Sequence, residues 1–368
     1  MNDLDALKRF ALLHAPGQGI SPQRCRGLLN LVRTDDRGLP GSWVWEWRRA
    51  AELLERRGRL LDACRHYGMA RFPYVNGGAR QYAQERCVSA FNRWRQDNTG
   101  IERLDLDLPG GRVACWASGL AAANRRPVLL IIDGILTSKE RWAPVLAGLR
   151  RLGLAGIVTE MPGVGENTLK YEPESWRMIS AVLDRVKGEA DVAETYAITA
   201  SLGGHLVLRT AVEDPRIRGV ITAGAPVSHF FTDAAWQDGL PRPFRDALAS
   251  LTGTRASSLP RQLPGWALTS AQLGALDIPV CYMTSRRDEI TPRRDIRHLQ
   301  QHVRDLHLIE TDDVHGSPRH GAETVLWAAL SVLRMRGDHS VRRAALGSAW
   351  RAIRARRRLT ECVTLPVT

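Results

Sequence analysis

The chain has 368 residues, 44% of them hydrophobic, enough for one large core with room for a second, smaller unit. Its net charge of +13 is carried almost wholly by arginine, since only Lys8, Lys139, Lys170 and Lys187 are lysine. No basic run is interleaved with stacking aromatics, so a nucleic-acid partner is not expected. There is no apolar run of about 18 residues and no basic-then-apolar start, which excludes a membrane span and a secretion signal and predicts a soluble, cytoplasmic protein. Cys25, Cys64, Cys87, Cys115, Cys281 and Cys362 lack any short paired spacing, so neither a zinc site nor a disulfide framework is predicted.

Helical periodicity begins at Ser42. Trp43, Trp47, Ala50, Ala51 and Leu54 recur at three- and four-residue spacing until Gly58, and a second helix is predicted over 60–70, ended by Arg71-Phe72-Pro73. A third covers 78–94. Residues 1–99 therefore read as a helical cap domain preceding any sheet.

After Gly100 the period changes. Leu104-Asp105-Leu106-Asp107-Leu108 alternates strictly, Pro109-Gly110-Gly111 turns, and 113–117 returns as a second strand. Apolar runs at 128–132, 156–159, 195–199, 219–222, 280–284 and 306–310 then alternate with helical stretches. That order predicts an α/β-hydrolase fold over 100–336, with a mostly parallel central sheet and helices on both faces. The connection over 227–277 is roughly fifty residues, far longer than an ordinary loop, and reads as a lid insertion. Residues 337–368 are predicted to be a basic helix and tail, in which the run Arg351 to Arg358 is a solvated face.

Three strand ends carry the chemistry. Thr199-Ala200-Ser201-Leu202-Gly203 follows one strand and opens a helix, the strand-turn-helix corner that exposes a serine nucleophile, although Thr199 stands where glycine is usual. An acid and then a histidine must follow in that order. Asp288 lies just past the 280–284 strand and His315 just past the last one, where Gly316 lets the loop turn back; Asp233 in the lid is the alternative acid. A serine hydroxyl needs an imidazole to take its proton, and the carboxylate fixes that imidazole, so Ser201, Asp288 and His315 are the candidate catalytic residues. The oxyanion hole is assigned to the backbone N–H groups of Leu202 and Ile135, with Gly134 permitting the close approach. Glu160-Met-Pro-Gly-Val-Gly165 reads as a tightly packed turn, His205 as a packing residue on the elbow helix, and His298 and His302 as a solvated helix face rather than metal ligands. Phe72, Tyr74, Phe230, Phe231 and Trp236 are candidates to line a pocket for a flat, apolar substrate, and Arg71 to orient an anionic or phenolic group or to pair within the cap.

On the spacing of Trp47, Ala50, Leu54, Gly58, Ala63 and Tyr67, on Ala70-Arg71-Phe72-Pro73, on 133–140 (Asp-Gly-Ile-Leu-Thr-Ser-Lys-Glu), and on 200–204, the chain resembles the FrsA-like α/β-hydrolases. That family includes 2,6-dihydroxypseudooxynicotine hydrolase and hydrolases that shorten aromatic polyketides. The resemblance spans roughly residues 43–335 and implies a cap that closes over the active site, a homodimer and no cofactor or metal. It also implies hydrolysis of a carbon–carbon bond beside a carbonyl in an aromatic or polyketide-like small molecule. Thr199, and Asp133 where glycine is frequent, depart from the family pattern and leave room for a different substrate. Esterase, thioesterase, acyltransferase or cyclase chemistry on the same acyl-enzyme, and a non-catalytic interaction protein of this fold, are the competing readings.

Overall fold

The computed structural model describes residues 3–35, 38–97 and 100–363, with side chains as far as Arg356; Arg357, Arg358 and Cys362 lie outside the described side chains. Its centre is an eight-stranded sheet in the order β1-β2-β4-β3-β5-β6-β7-β8. The strands are β1 (Ile101–Leu108), β2 (Gly111–Ser118), β3 (Pro127–Ile132), β4 (Ala155–Thr159), β5 (Asp191–Ala200), β6 (Ile217–Ala223), β7 (Val280–Ser285) and β8 (Leu306–Thr311). β1 and β2 form an antiparallel hairpin at one edge, β2 pairs antiparallel with β4, and every other pairing is parallel.

The strand sequences explain this layout. β3, β4 and β7 are almost wholly buried because helices cover both faces, so their apolar runs need no alternation. β1 is different: Leu104 and Leu106 turn inward while Asp105 and Asp107 face out between them, as the alternation requires, and Ile101, on the opposite face from Leu104, joins the second apolar cluster beside Trp116. Register places Leu130 opposite both Ile157 and Ala197 in the middle of the sheet, so the three strand ends that carry chemistry emerge along one rim.

Among the described residues five α-helices precede the sheet: α1 (Leu4–His14), α2 (Pro22–Leu31), α3 (Trp43–Arg56), α4 (Leu60–Arg71) and α5 (Gly78–Gln96). The last three match the sequence periodicity. The first two correct the expectation that helix begins at Ser42. Asp3 caps α1 by accepting from the Asp5 and Ala6 N–H groups, Ser21 caps α2 with Pro22 at its first position, and Leu7, Phe10 and Ala11 form the buried stripe of α1. Leu7, Phe10, Trp43 and Phe72 belong to the same apolar cluster as Val128, Leu130 and Ile132 of β3, so the helices share a core with the sheet. Trp43 also ties α3 to α4 by donating from Nε1 to the Met69 carbonyl at 2.7 Å.

The connection between β6 and β7 is not an open loop. It folds into short helices, including His229–Thr232, Ala234–Asp238 and Arg242–Leu251, whose apolar side chains Phe230, Phe231, Phe244 and Leu248 are buried. Its entry is fixed by Asp295, which is fully buried at the start of the helix Arg293–His302. The Asp295 carboxylate accepts the backbone N–H groups of Val227, Ser228, His229 and Phe230. The C-terminal helix Val341–Val363 packs on Gly321–Met335, with Arg354 Nε 3.6 Å from Glu323. Within the described residues no helix is long and apolar enough to cross a membrane.

Candidate active site

β5 ends at Ala200 and the helix Leu202–Glu213 begins two residues later, leaving Ser201 to make the whole turn. Its backbone sits at φ 52° and ψ −135°, a conformation a side-chain-bearing residue adopts only when its surroundings enforce it. The enforcement is local: the Ser201 N–H donates to the Ala223 carbonyl at 2.8 Å, and its carbonyl accepts from Gly204. Thr199 serves where glycine is usual because its hydroxyl points sideways and donates to the Ile221 carbonyl.

Asp288 and His315 meet above the neighbouring strand ends. His315 Nδ1 lies 2.8 and 3.1 Å from the two Asp288 carboxylate oxygens, and Asp288 Oδ1 also accepts the Ile290 and Thr291 N–H groups. The loops that carry them are laced together: Arg286 and Arg287 donate backbone N–H groups to Thr311 and Asp313, and Glu289 accepts the His315 N–H. Asp313 stiffens the histidine loop from inside, accepting from the Val314 and Arg319 N–H groups and His320 Nδ1. Burial pulls the His315 pKa down, but the Asp288 charge and hydrogen bond, with Glu289 and Asp133, push it up, and the net direction is upward. The alternative acid is set aside by geometry, since Asp233 caps the Ala234–Asp238 helix and lies 3.9 Å from Arg294.

Ser201 and His315 both lie beside the end of β6. The Ala223 carbonyl holds Ser201, and a Cβ placed on the adjoining Gly224 would come within 2.8 Å of the His315 ring. Ser201 Oγ and His315 Nε2 are both buried and have no hydrogen-bond partner among the described residues, so the hydroxyl and its candidate base are poised without being bonded. Gly134 lies directly against the serine: a Cβ there would sit 2.9 Å from Ser201 Cβ. Leu202 is the first residue of its helix, so its N–H has no intrahelical acceptor, and Ile135 follows Gly134 on the facing loop; both are buried.

That loop is anchored from the helical side. Arg71, buried, donates from Nη2 to the Leu136 carbonyl at 3.0 Å and forms no ion pair among the described residues, so the cap ion pair expected of it is not formed. Burial lowers its pKa. Asp133, one residue before Gly134, accepts from the Gly134 N–H, Arg141 Nη1 and Trp142 Nε1. Of the aromatic candidates, Phe230 and Phe231 are fully buried in the core, Phe231 stacked 4.4 Å from His205. Phe72 is buried between Trp43 and His14, whereas Tyr74 and Trp236 are half-buried, Trp236 donating to the Ile290 carbonyl. An aromatic ring outside those candidates approaches His315: Phe244 of the Arg242–Leu251 helix, at 6.5 Å.

Two further features escaped sequence reading. His14, at the end of α1, lies within electrostatic reach of His315, Asp133 and Arg141. The Glu160 turn is more than tight packing: Glu160, Glu140 and Glu166 all surround the buried ammonium of Lys139, at 3.1, 3.0 and 2.7 Å. His205 is a packing residue as expected. Its Nε2–H donates to the Trp266 carbonyl and burial lowers its pKa to about 4. His298 and His302 stack 4.6 Å apart, and no group of three potential ligands among the described residues has metal-binding geometry.

A serine at a strained strand-to-helix corner of a mostly parallel sheet, with a histidine–aspartate pair on neighbouring strand ends, is the arrangement of the α/β-hydrolase class, and residues 127–249 match the family described as alpha/beta hydrolase fold. The solved structure of wild-type AbyA5 is 46% identical and superposes with a TM-score of 0.92, covering 96% of this chain and 100% of its own. Esterase FrsA of Photobacterium profundum is 22% identical over 330 residues, 78% of each chain. The 2,6-dihydroxy-pseudo-oxynicotine hydrolase shares the fold at 18% identity, with a TM-score of 0.68 over 87% of this chain and 95% of that one. The chain belongs to the FrsA-like α/β-hydrolases and is a hydrolase.

Proposed function

We propose that the protein is a serine hydrolase in which Ser201 carries the acyl group, His315 moves the protons and Asp288 orients His315. The observation that supports this best is that Ser201 Oγ and His315 Nε2 are both buried without a partner among the described residues, while His315 Nδ1 is fixed at 2.8 Å from Asp288. In the proposed reaction Ser201 Oγ attacks a substrate carbonyl while its proton passes to His315 Nε2. The Leu202 and Ile135 N–H groups receive the oxyanion, each worth about a hundred- to a thousandfold in rate. Collapse breaks the bond between the carbonyl carbon and the neighbouring carbon, and the electron pair leaves as an enolate whose carbon takes the proton from His315. Water, deprotonated by His315, then attacks the acyl-enzyme and returns Ser201 to its starting state.

The substrate in this reading is a β-dicarbonyl or aryl ketone of polyketide-like character. A buried nucleophile and base suit it, because a carbanion must be protonated by the histidine inside the site. Ester hydrolysis by the same acyl-enzyme is the second reading, favoured by the esterase name of the relatives at about a fifth identity. Labelling with a fluorophosphonate and mass spectrometry tests the shared part: wild type is labelled at Ser201, while Ser201→Ala and His315→Ala are not. Absence of labelling on folded wild type, or labelling at another residue, overturns it. Product analysis on benzoylacetone and on phenyl acetate then separates carbon–carbon from ester cleavage. The homodimer belongs to the same proposal and is checked by sedimentation equilibrium.

A further inference from the structure

α1 packs beside the loops that carry the proposed triad. Its last residue, His14, packs between Phe10 and Phe72, at ring distances of 5.4 and 6.2 Å, and the described residues give its ring nitrogens no hydrogen-bond partner. The chain just beyond is pinned to the oxyanion loop: the Gly17 carbonyl accepts from Arg141 Nε at 3.3 Å, and Arg141 Nη1 in turn holds Asp133 at 2.9 Å. Asp133 adjoins Gly134, which touches Ser201. α1 also packs against the Arg242–Leu251 lid helix that carries Phe244 and against the turn at Pro318–His320 that follows the His315 loop.

We propose that His14 is a substrate-contacting residue whose imidazole N–H donates to a second carbonyl oxygen of the substrate, one that becomes the enolate oxygen when the bond at Ser201 breaks. The inference rests on the acyl-enzyme reading given above. On balance the surroundings of the ring select a neutral donor. Burial, then Arg141 and His315, lower its pKa to about 4, with Asp133 opposing, so the imidazole is uncharged at neutral pH. A neutral N–H recognises a carbonyl or enolate oxygen rather than requiring a carboxylate, and a site built to meet such an oxygen penalises an analogue that lacks it. The two rings around His14 are flat and apolar, which suits a substrate whose carbonyls are conjugated with an aromatic or polyene segment.

A paired comparison tests this. Benzoyltrifluoroacetone has a carbonyl two carbons from its activated ketone, while 1,1,1-trifluoro-4-phenyl-2-butanone lacks it, and both can add Ser201 reversibly. Inhibition constants are measured on wild type, His14→Leu and His14→Gln, with fluorophosphonate labelling of Ser201 as the control. The expected result is that wild type prefers the diketone by at least about tenfold, that His14→Leu loses that preference, and that His14→Gln, which keeps a donor, recovers part of it. A general packing defect weakens both ketones alike and leaves their ratio unchanged. An unchanged ratio in His14→Leu, or a wild type that is labelled at Ser201 yet shows no preference, overturns the role of His14. If one variant fails to fold, the other supplies the ratio. A folded wild type that is not labelled at all overturns the acyl-enzyme reading instead.

Discussion

At the scale of single residues, the proposed triad has a definite pH signature. His315 accepts a proton only when neutral, and its pKa lies above the ordinary imidazole value of 6.5 because Asp288, Glu289 and Asp133 outweigh burial. kcat/KM therefore rises with pH through a value above 6.5, reported by the acid limb of the rate profile. Asp288→Asn removes the largest of the upward contributions, so its acid limb moves to lower pH while kcat falls by about 10⁴, the loss seen when a triad acid is neutralised. A limb that stays in place in Asp288→Asn excludes His315 as the titrating base. The three residues were legible in the sequence because each follows a recognisable strand in the required order. His14 was not, since it sits in no motif and its place near the oxyanion loop exists only once α1 has folded; Asp133 was visible only as a departure from the family pattern in the 133–140 loop, and its hydrogen bonds to Arg141 and Trp142 appear only in the fold.

At the scale of elements, the sheet was legible nearly strand for strand because its runs are continuous and apolar, whereas α1 was not. Leu7, Phe10 and Ala11 make a narrow stripe in a short segment, and its burial comes from the sheet beneath it rather than from its own sequence. Two element-level contacts are open to measurement. Gly203 opens the elbow helix against the preceding loop, where a Cβ would lie 2.5 Å from the Asp133 carbonyl oxygen and 2.8 Å from that of Ile132. Both obstacles are backbone, so Gly203→Ala forces the helix and β3 apart and costs about 1–3 kcal/mol in urea unfolding. Asp295 was missed for a related reason: its four N–H partners lie 65 to 68 residues away in sequence. Asp295→Ala leaves those donors unmet at the root of the lid. It is expected to cost about 3 kcal/mol by denaturant midpoint, with proteolysis appearing first within 227–277. Protease resistance of that segment equal to wild type rules out Asp295 as its anchor.

At the scale of the whole molecule, helices and sheet are tied together by a buried charge cluster. Lys139 is fully buried with Glu140, Glu160 and Glu166 around it, Trp116 of β2 donates to Glu140, and Arg103 of β1 reaches Glu166. The sequence shows these four charged residues in two segments, 139–140 and 160–166, and only the fold reveals that one ammonium serves three carboxylates. Replacing Lys139 by Met keeps the stem's volume but leaves those carboxylates facing one another without water, which should cost about 3–5 kcal/mol at pH 7. The sign of the pH dependence separates this from a packing defect. In wild type burial pushes the Glu166 pKa up, but Lys139 and Arg103 bring it down to about 2; its contribution is complete above its ordinary value of 4.5 and fades as pH falls toward 2. Glu160, raised by burial and by Glu140, runs the other way and softens that slope. In Lys139→Met the carboxylates lose their shared cation and their pKa values rise above the unfolded ones, so protonation now favours the folded state. The variant should therefore recover part of its lost stability between pH 7 and pH 5, a range in which the Glu166 contribution to wild type stays nearly level. A deficit that is the same at both pH values would mean that Lys139 matters for its packing and not for its charge.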